Sequence, residues 1–524
     1  MSTGDDVSAH GGEPPDMSES EHLLPTNGAE LVPAKDCDAN AGHCSREDSG
    51  RGAGEDDFSR STGMGVFTSS GIIMVAIVFT LTMPYALAQT GLLGGVMFLV
   101  LGPLLMLYMN VTLGKCWVIL METWPQKYSQ RRVRRPFPEI GKEAAGRSWE
   151  IAVRMSLAFT NMGTGVVMLL VSASLSQVLV PERFSDRAWA SFWGAILLVP
   201  ICAGNMMDSW LLRYLGAPST LLSSFGLLAA LVMSRLSTEN TVHGHGHGAP
   251  FLSPTNSTLL YSSVNVSMLS EHSRTEPDMA GGTTVSFSSD PHLLVNRVGH
   301  APITFGSFWL GTSTIIFAFA SASQVVTIQH DMSKPSRLPH ALAIAYVTAI
   351  LLCLATGVLG VETFGTLSNP NILLNVQCQQ SHAIQIVAKA TAVAQIIFNL
   401  FGALAGLIIF TQEAEEVLDL PLTKINFRHI LVRITSLLVA VGIGLAVPEF
   451  NKYASLIGSS TMTMNHFLFP PFFYYRLMAA TGRPLHRAEI AVFLIVFGFG
   501  IMCGLAGTYS AAHSLISEKH ANPC

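Results

Sequence analysis

The sequence predicts an all-α integral membrane protein that crosses the bilayer about eleven times, and three observations carry that prediction. The 524 residues are 49% hydrophobic and only 12% charged, against about 25% charged in an average soluble domain. Apolar runs recur from Gly65 to Ala512, each near the length of about 20 residues that a helix needs to cross about 30 Å of hydrocarbon. The short alternating segments of a membrane β-barrel do not appear. Mean hydropathy is +0.42.

In chain order, residues 1–63 hold fourteen acidic and four basic residues and almost no aromatics. Such a segment buries too little apolar surface to fold alone, and we expect a disordered cytosolic tail. The first apolar run follows an acidic leader rather than a basic one, so the first membrane helix is expected to act as its own insertion signal. Five spans follow, at 65–88, 92–119, 151–180, 188–204 and 210–235, within a segment 64–235. A long polar loop, 236–302, separates them from spans at 304–328, 339–361, 383–411, 429–447 and 453–475, within a segment 303–475. The eleventh span, 488–512, belongs to a final segment, 476–524.

Orientation follows from basic residues in short loops, which stay cytosolic. Arg131, Arg132, Arg134 and Arg135 follow the second span, Lys334 and Arg337 the sixth, and Arg476, Arg483 and Arg487 the tenth. The N-terminus is then inside and the C-terminus outside. The 236–302 loop falls outside the cytosol and carries two glycosylation sequons, at Asn256 and Asn265. In that loop His243, His245 and His247 alternate with glycine, which we read as a flexible spacer ahead of a metal or proton sensor. The eight cysteines are scattered and form neither a metal motif nor a disulfide framework. No metal, cofactor or nucleic-acid partner is expected, and a nucleotide-driven pump is excluded by the lack of a phosphate-binding loop. In the tail, Glu19 followed by Leu23 and Leu24 fits an acidic dileucine sorting pattern, which would engage a sorting adaptor.

Two places interrupt the apolar spans. Residues Phe317–Asp331 pass through a run of small residues from Ala318 to Ser323, and Phe79–Tyr85 contains Thr80, Thr82 and Pro84. Backbone that opens inside a bilayer is tolerated only where it lines a protein cavity. A pair of interrupted helices in corresponding halves points to a transporter's substrate site.

Four stretches extend this into a resemblance. Met83-Pro84-Tyr85-Ala86 with Gly91 resembles an LPYA…G element. Phe137–Gly146 resembles a YPDIGEAAFG loop. Phe317–Gln329 resembles FAFxGHxVxxxIQ, continuing into Lys334-Pro335-Ser336. Gly458-Ser459-Ser460 with Pro470-Pro471 and Tyr474-Tyr475 resembles a G-S…P…Y pattern. Their order and spacing are similar to those of the amino acid/auxin permease family, which includes vacuolar and vesicular amino acid transporters. The resemblance implies a LeuT-like fold, two inverted five-helix repeats plus one extra helix, with the first and sixth helices broken. It implies substrate binding around Thr80, Leu81, Thr82 and Met83 and around Ser321, Ala322 and Ser323. With the dileucine pattern of the tail, residence in an endosomal, lysosomal or vacuolar membrane or the plasma membrane is expected.

The chain departs from the pattern in places that bear on coupling. Ile77 and Phe79 stand where relatives carry Gly-x-Gly, and Ser321-Ala322 where the pattern has Gly-His. Ile73 replaces the asparagine of sodium-coupled members and offers no oxygen to a hard cation. Proton coupling is therefore favoured over sodium. Ionisable groups within a bilayer default to functional hypotheses, which makes His466 the proton-coupling candidate, against a bland reading as a neutral histidine bonded to a neighbouring helix. Asn161, Thr164 and Asn399 are candidate cavity-lining residues, with helix packing the alternative. Arg154 reads as a snorkelling side chain at the membrane edge. The expected function is secondary active amino acid transport, as symport or antiport, in a membrane glycoprotein surrounded by lipid. The alternatives are a membrane amino-acid sensor with little flux, motivated by the acidic tail, and a transporter of another small organic solute.

Overall fold

The computed structural model describes residues 64–128, 133, 135–181, 184–203, 217–244, 302–379, 381–420, 426–447 and 449–517. The tail with Glu19, Leu23 and Leu24, the sequons at Asn256 and Asn265 and most of the 236–302 loop lie outside them. Nearly all of the described chain is helical. The first half contains α1 (Val66–Ile77), α2 (Met83–Thr90), α3 (Leu92–Thr123), the short α4 (Pro125–Tyr128), α5 (Pro136–Ala145), α6 (Arg147–Leu179), α7 (Asp186–Ala203) and α8 (Ala217–Gly244). The second contains α9 (Phe305–Ala318), α10 (Ala322–Asp331), α11 (Leu338–Phe364), the short α12 (Ile372–Gln377), α13 (His382–Val417), α14 (Phe427–Ala446), α15 (Phe450–Ile457), α16 (Phe469–Ala480) and α17 (Arg487–Ser517).

Among the described residues, nine helical stretches are long and apolar enough to cross a membrane, against the eleven expected from the sequence. The two others are helical at the expected places. The fourth, α7, has only 18 residues, begins with Asp186 and Arg187 and contains Pro200. The tenth is divided, because two π-helical turns, Gly458–Met462 and Met464–Leu468, separate α15 from α16. The fifth is helical over Ala217–Gly244, and the expected start at residue 210 lies outside the described residues.

Local chemistry accounts for the ends. Thr304 and Ser307 form a reciprocal capping box at the start of α9, and Asn426 and His429 do the same at α14; each satisfies backbone N–H groups that have no partner inside the helix. Pro136 occupies the first turn of α5, where its missing N–H costs nothing. The α-helix of the first span stops at Ile77, and that of the sixth stops at Ala318. At the first break Val78 adopts extended backbone at φ −101° and Phe79 keeps a negative φ of −124°. Negative φ of this kind is open to any residue, so the opening needs no glycine at Ile77 or Phe79.

The packing pattern shows a repeat. The third span packs extensively on the eighth (α6 on α13), the fourth on the ninth (α7 on α14), the second on the seventh (α3 on α11) and the first on the sixth (α2 on α9). Other contacts come in matched pairs: α13 on α8 mirrors α6 on α15, α11 on α1 and α2 mirrors α3 on α9 and α10, and α13 on α14 mirrors α6 on α7. The first four spans thus each meet their counterpart five spans away. Five is an odd number, so the second set enters the membrane from the opposite side. Large apolar side chains remain exposed on outward faces, among them Leu101 on α3, Leu351 on α11 and Leu494, Ile495 and Leu505 on α17. Apolar exposure on this scale marks a surface that meets lipid rather than water.

At the end of the bundle that carries the basic loops, ion pairs fasten α6 and the N-terminus of α5 to α13. Arg135 pairs with Glu413 and with Glu416 at 2.9 Å. Arg154 approaches Glu416 at 2.8 Å and Glu413 at 3.4 Å. The snorkelling expected of Arg154 gives way to this cluster, since carboxylates on α13 are within reach. A second pair, Arg433 with Glu415 at 2.7 Å, is almost fully buried and joins α14 to α13.

Candidate functional site

The two breaks lie side by side. Phe79, at the first, sets its ring edge against Phe317, just before the second, with centroids 5.7 Å apart. Gly311 brings α9 against α2 so closely that an added Cβ would sit 2.6 Å from the Ala86 carbonyl. Thr80, Leu81, Thr82, Met83, Ser321 and Ala322 are all buried, while Ser323 is half-buried.

The break in the sixth span is held by three neighbouring helices. Asn110, midway along α3, donates from Nδ2 to Ser321 Oγ at 3.1 Å and to the Tyr346 hydroxyl at 2.8 Å. Tyr346, on α11, donates to the Phe319 carbonyl at 2.9 Å and lies 3.0 Å from Ser321 Oγ. The third support is His466. Its Nε2 accepts from the backbone N–H groups of both Ser321 and Ala322, each at 2.9 Å. Its Nδ1 lies 2.9 Å from the Met462 carbonyl. These partners fix the tautomer: Nδ1 faces an acceptor and carries the proton, while Nε2 faces two donors and must be bare. His466 is therefore a neutral side-chain cap on the N-terminus of α10.

The π-helical turns put His466 there. Wider turns of this kind rotate the following residues out of α-helical register and recur at functional sites. Thr463 Oγ1 bonds the Gly458 carbonyl five residues back. Gly458 lets the turn close on α9, since an added Cβ would lie 2.3 Å from the Ser313 carbonyl. Asn465 secures the other side, accepting from Ser156 at 2.8 Å and donating to Thr160 at 3.0 Å, both on α6.

The first break is built differently. Among the described residues, no side chain caps the short 3₁₀ turn Thr80–Thr82 or the start of α2. Thr82 Oγ1 is fully buried and has no hydrogen-bond partner among the described residues. Of two adjacent half-helix N-termini, the structure thus caps one with an imidazole and leaves the other without a side-chain cap. Each is the positive end of a helix dipole and favours an anion.

The other candidates are placed as follows. Asn161 bonds the Leu157 carbonyl one turn back, and its own carbonyl faces Gly406 across the α6–α13 interface. Thr164 bonds the Thr160 carbonyl. Asn399 is fully buried on α13, accepts from Gln395 at 3.4 Å and leaves its Nδ2 without a partner. Ser69 and Ser70 both donate to carbonyls of their own helix, and Ile73 is buried between them and the break. Sequence reasoning missed Asn110 and Tyr346. Each is a lone polar side chain inside an apolar run, the signal applied to His466 but not to them.

Buried, interrupted helices related by a repeat define a transporter architecture. A family model described as transmembrane amino acid transporter protein matches residues 59–512, and the chain belongs to that family. The amino acid transporter AVT1E of Arabidopsis thaliana is 24% identical over 458 residues, which cover 86% of this chain and 73% of that protein. AVT3A of the same plant is 24% identical over 212 residues, 40% of this chain and 46% of its own. Vacuolar amino acid transporter 3 of Saccharomyces cerevisiae is 24% identical over 221 residues, 41% of this chain and 30% of its own. The chain thus matches less than half the length of two of these three relatives. Among solved structures, MhsT in complex with L-phenylalanine aligns with a TM-score of 0.44 at 13% identity, covering 85% of this chain and 98% of that one. A manganese transporter of Eremococcus coleocola aligns with a TM-score of 0.48 at 13% identity, covering 88% and 89%.

Proposed function

We propose that the chain is a secondary active transporter of amino acids that works by alternating access and is driven by protons. The observation that carries the reading is the pair of adjacent buried half-helix N-termini, one lacking a side-chain cap beside the unpartnered Thr82 hydroxyl and one occupied by neutral His466. An amino acid presents a carboxylate, which suits free amide groups at Thr80–Met83, and an amine, which suits carbonyls freed at the sixth-span break. Because these residues are buried, substrate reaches them only if one helix set moves against the other.

The role of His466 in coupling follows from its bonds. A proton added at Nε2 would face two N–H donors, so the protonated ring must leave its place. Departure frees the Ser321 and Ala322 amides for a carboxylate and supplies a positive charge beside it. Proton and substrate then favour the same state, which is what coupling requires. Ile73, with the two serine hydroxyls engaged by their own helix, speaks against a sodium site near the first break. The name of the yeast relative, a vacuolar amino acid transporter, supports the vacuolar membrane as the home membrane, and the Glu19–Leu24 pattern supports adaptor-mediated sorting to it.

The test is uptake of labelled amino acids into proteoliposomes under an imposed pH gradient, with and without sodium. The expected result is uptake that needs the pH gradient, ignores sodium and is lost in His466→Gln. Uptake that needs sodium overturns the coupling assignment. Binding without uptake under any gradient favours a sensor.

A further inference from the structure

A cavity of about 380 Å³ opens at the basic-loop end of the bundle, between α3, the Pro335–Arg337 turn, the start of α11 and the end of α16. Its walls are largely apolar, with Val118, Ile119, Leu338 and Met478 among them, and three charged side chains reach it: Lys115, Glu122 and Arg483. Arg483 and Glu122 pair with each other at 2.9 Å. Lys115 has no carboxylate at ion-pair distance among the described residues. The cavity therefore presents one uncompensated positive charge.

Gln329, on α10, forms part of the wall and is only 2% exposed. Its Nε2 donates to the Gly114 and Pro335 carbonyls, at 3.3 and 3.4 Å, which fixes the orientation of the amide. The Oε1 is then left buried with no donor among the described residues. A buried acceptor without a partner costs about 1–3 kcal/mol. The cavity thus asks for a single negative charge and a hydroxyl donor carried on one molecule.

The face of α3 identifies where that molecule comes from. Met97, Leu101 and Leu104 are exposed apolar residues on this helix. Continuing at helical spacing of three and four residues leads through Tyr108 and Val111 to Lys115, Val118 and Glu122, all less than fully buried. The cavity therefore lies on the lipid-facing stripe. Lys115 stands about 12 Å along the axis from the end of α3 at Thr123, at about 1.5 Å per residue, and its long stem can carry the ammonium to headgroup depth.

We propose that this cavity is a binding site for an anionic phospholipid with a hydroxylated headgroup, of the phosphatidylglycerol or phosphatidylinositol class. The phosphodiester meets Lys115, a headgroup hydroxyl donates to Gln329 Oε1, and the apolar stripe through Val111, Leu104 and Leu101 takes an acyl chain. Since Gln329 lies on the second half of the interrupted sixth span, the bound lipid braces that half-helix against α3. The inference is independent of what the protein transports.

Native mass spectrometry of the purified full-length protein tests it. The probes are phosphatidylglycerol, phosphatidylmethanol (the same charge without headgroup hydroxyls) and phosphatidylcholine. Retention is expected in that order. Lys115→Ala should weaken phosphatidylglycerol retention about fivefold, the effect of one basic residue at an anionic surface. Gln329→Met should abolish the preference for phosphatidylglycerol over phosphatidylmethanol while sparing the preference for anionic lipid. Equal retention of all three lipids, or no response to Lys115→Ala, overturns the proposal. So does displacement of the lipid by soluble glycerophosphate at equal concentration, which would assign the cavity to free phosphate esters.

Discussion

His466 illustrates how one side chain can hold a helix end and remain able to release it. As a neutral imidazole it accepts from two backbone amides that have no partner within α10. His466→Gln keeps an acceptor and removes the proton site, so the protein should fold normally while pH-driven uptake disappears; thermal melting and proteoliposome flux measure the two separately. Tyr346 has a different task. Its hydroxyl is the donor recorded for the Phe319 carbonyl and also touches Ser321 and Asn110. Tyr346→Phe leaves that carbonyl bare and should cost about 1–3 kcal/mol of stability, visible as a lower melting temperature in detergent. An unchanged melting temperature would show that the break closes without it.

At the scale of elements, charge pairs join helices that the repeat brings together. Arg433 and Glu415 are exposed by 6% and 2%, so removing one partner leaves a buried charge alone. Arg433→Met should destabilise the protein by about 3–5 kcal/mol, and the double variant Arg433→Met with Glu415→Leu should recover most of the loss, because an apolar pair of similar volume replaces a buried ion pair at little cost. Denaturation of the single and double variants decides this. The amphipathic α5 is fastened through Glu143. Burial raises its carboxyl pKa, but hydrogen bonds from Lys127 and Tyr128 and the charges of Lys127 and Lys142 outweigh that and hold it below its ordinary 4.5. The folded state thus binds this proton less readily than the unfolded state. Its contribution to stability is present above pH 4.5 and is lost as pH falls below it. The stability difference between the wild type and Glu143→Gln should be seen at pH 7 and shrink on acidification toward pH 4.

Across the whole molecule, the two interrupted spans are tied at the basic-loop end by backbone. The Met64 N–H donates to the Asp331 carbonyl at 3.0 Å, and the Ser333 N–H donates to the Met64 carbonyl at 3.1 Å. These bonds join the start of the first span to the end of the sixth as a single parallel bridge, Met64 with Met332. If access to the buried site at this end requires the two spans to part, locking the bridge should stop transport. Cysteines at Met64 and Met332, oxidised in the membrane, are expected to suppress uptake, with recovery on reduction. Full uptake in the oxidised form would place the opening elsewhere.

Much of this design was legible along the chain. Composition and the lengths of apolar runs mark the spans, because a bilayer demands about 20 apolar residues regardless of what packs beside them. Pro84 and the small residues Ala318–Ser323 lie at the places where α-helix gives way, since both report local backbone preference. The same reasoning gave no account of how the first break opens with Ile77 and Phe79 where relatives carry Gly-x-Gly; backbone at negative φ needs no glycine. It also read Arg154 as snorkelling, with its partners on α13, more than 250 residues away, not visible. What tertiary structure alone decided is which polar groups meet. Asn110, Tyr346 and His466 come from three helices far apart in sequence and converge on one opened turn. The π-helical turns that aim His466 at that turn leave no distinct mark on a sequence whose residues also suit an α-helix. Span positions follow from the affinity of each segment for lipid, a local quantity; the site follows from partners for buried amides and hydroxyls, and these exist only once the helices have packed.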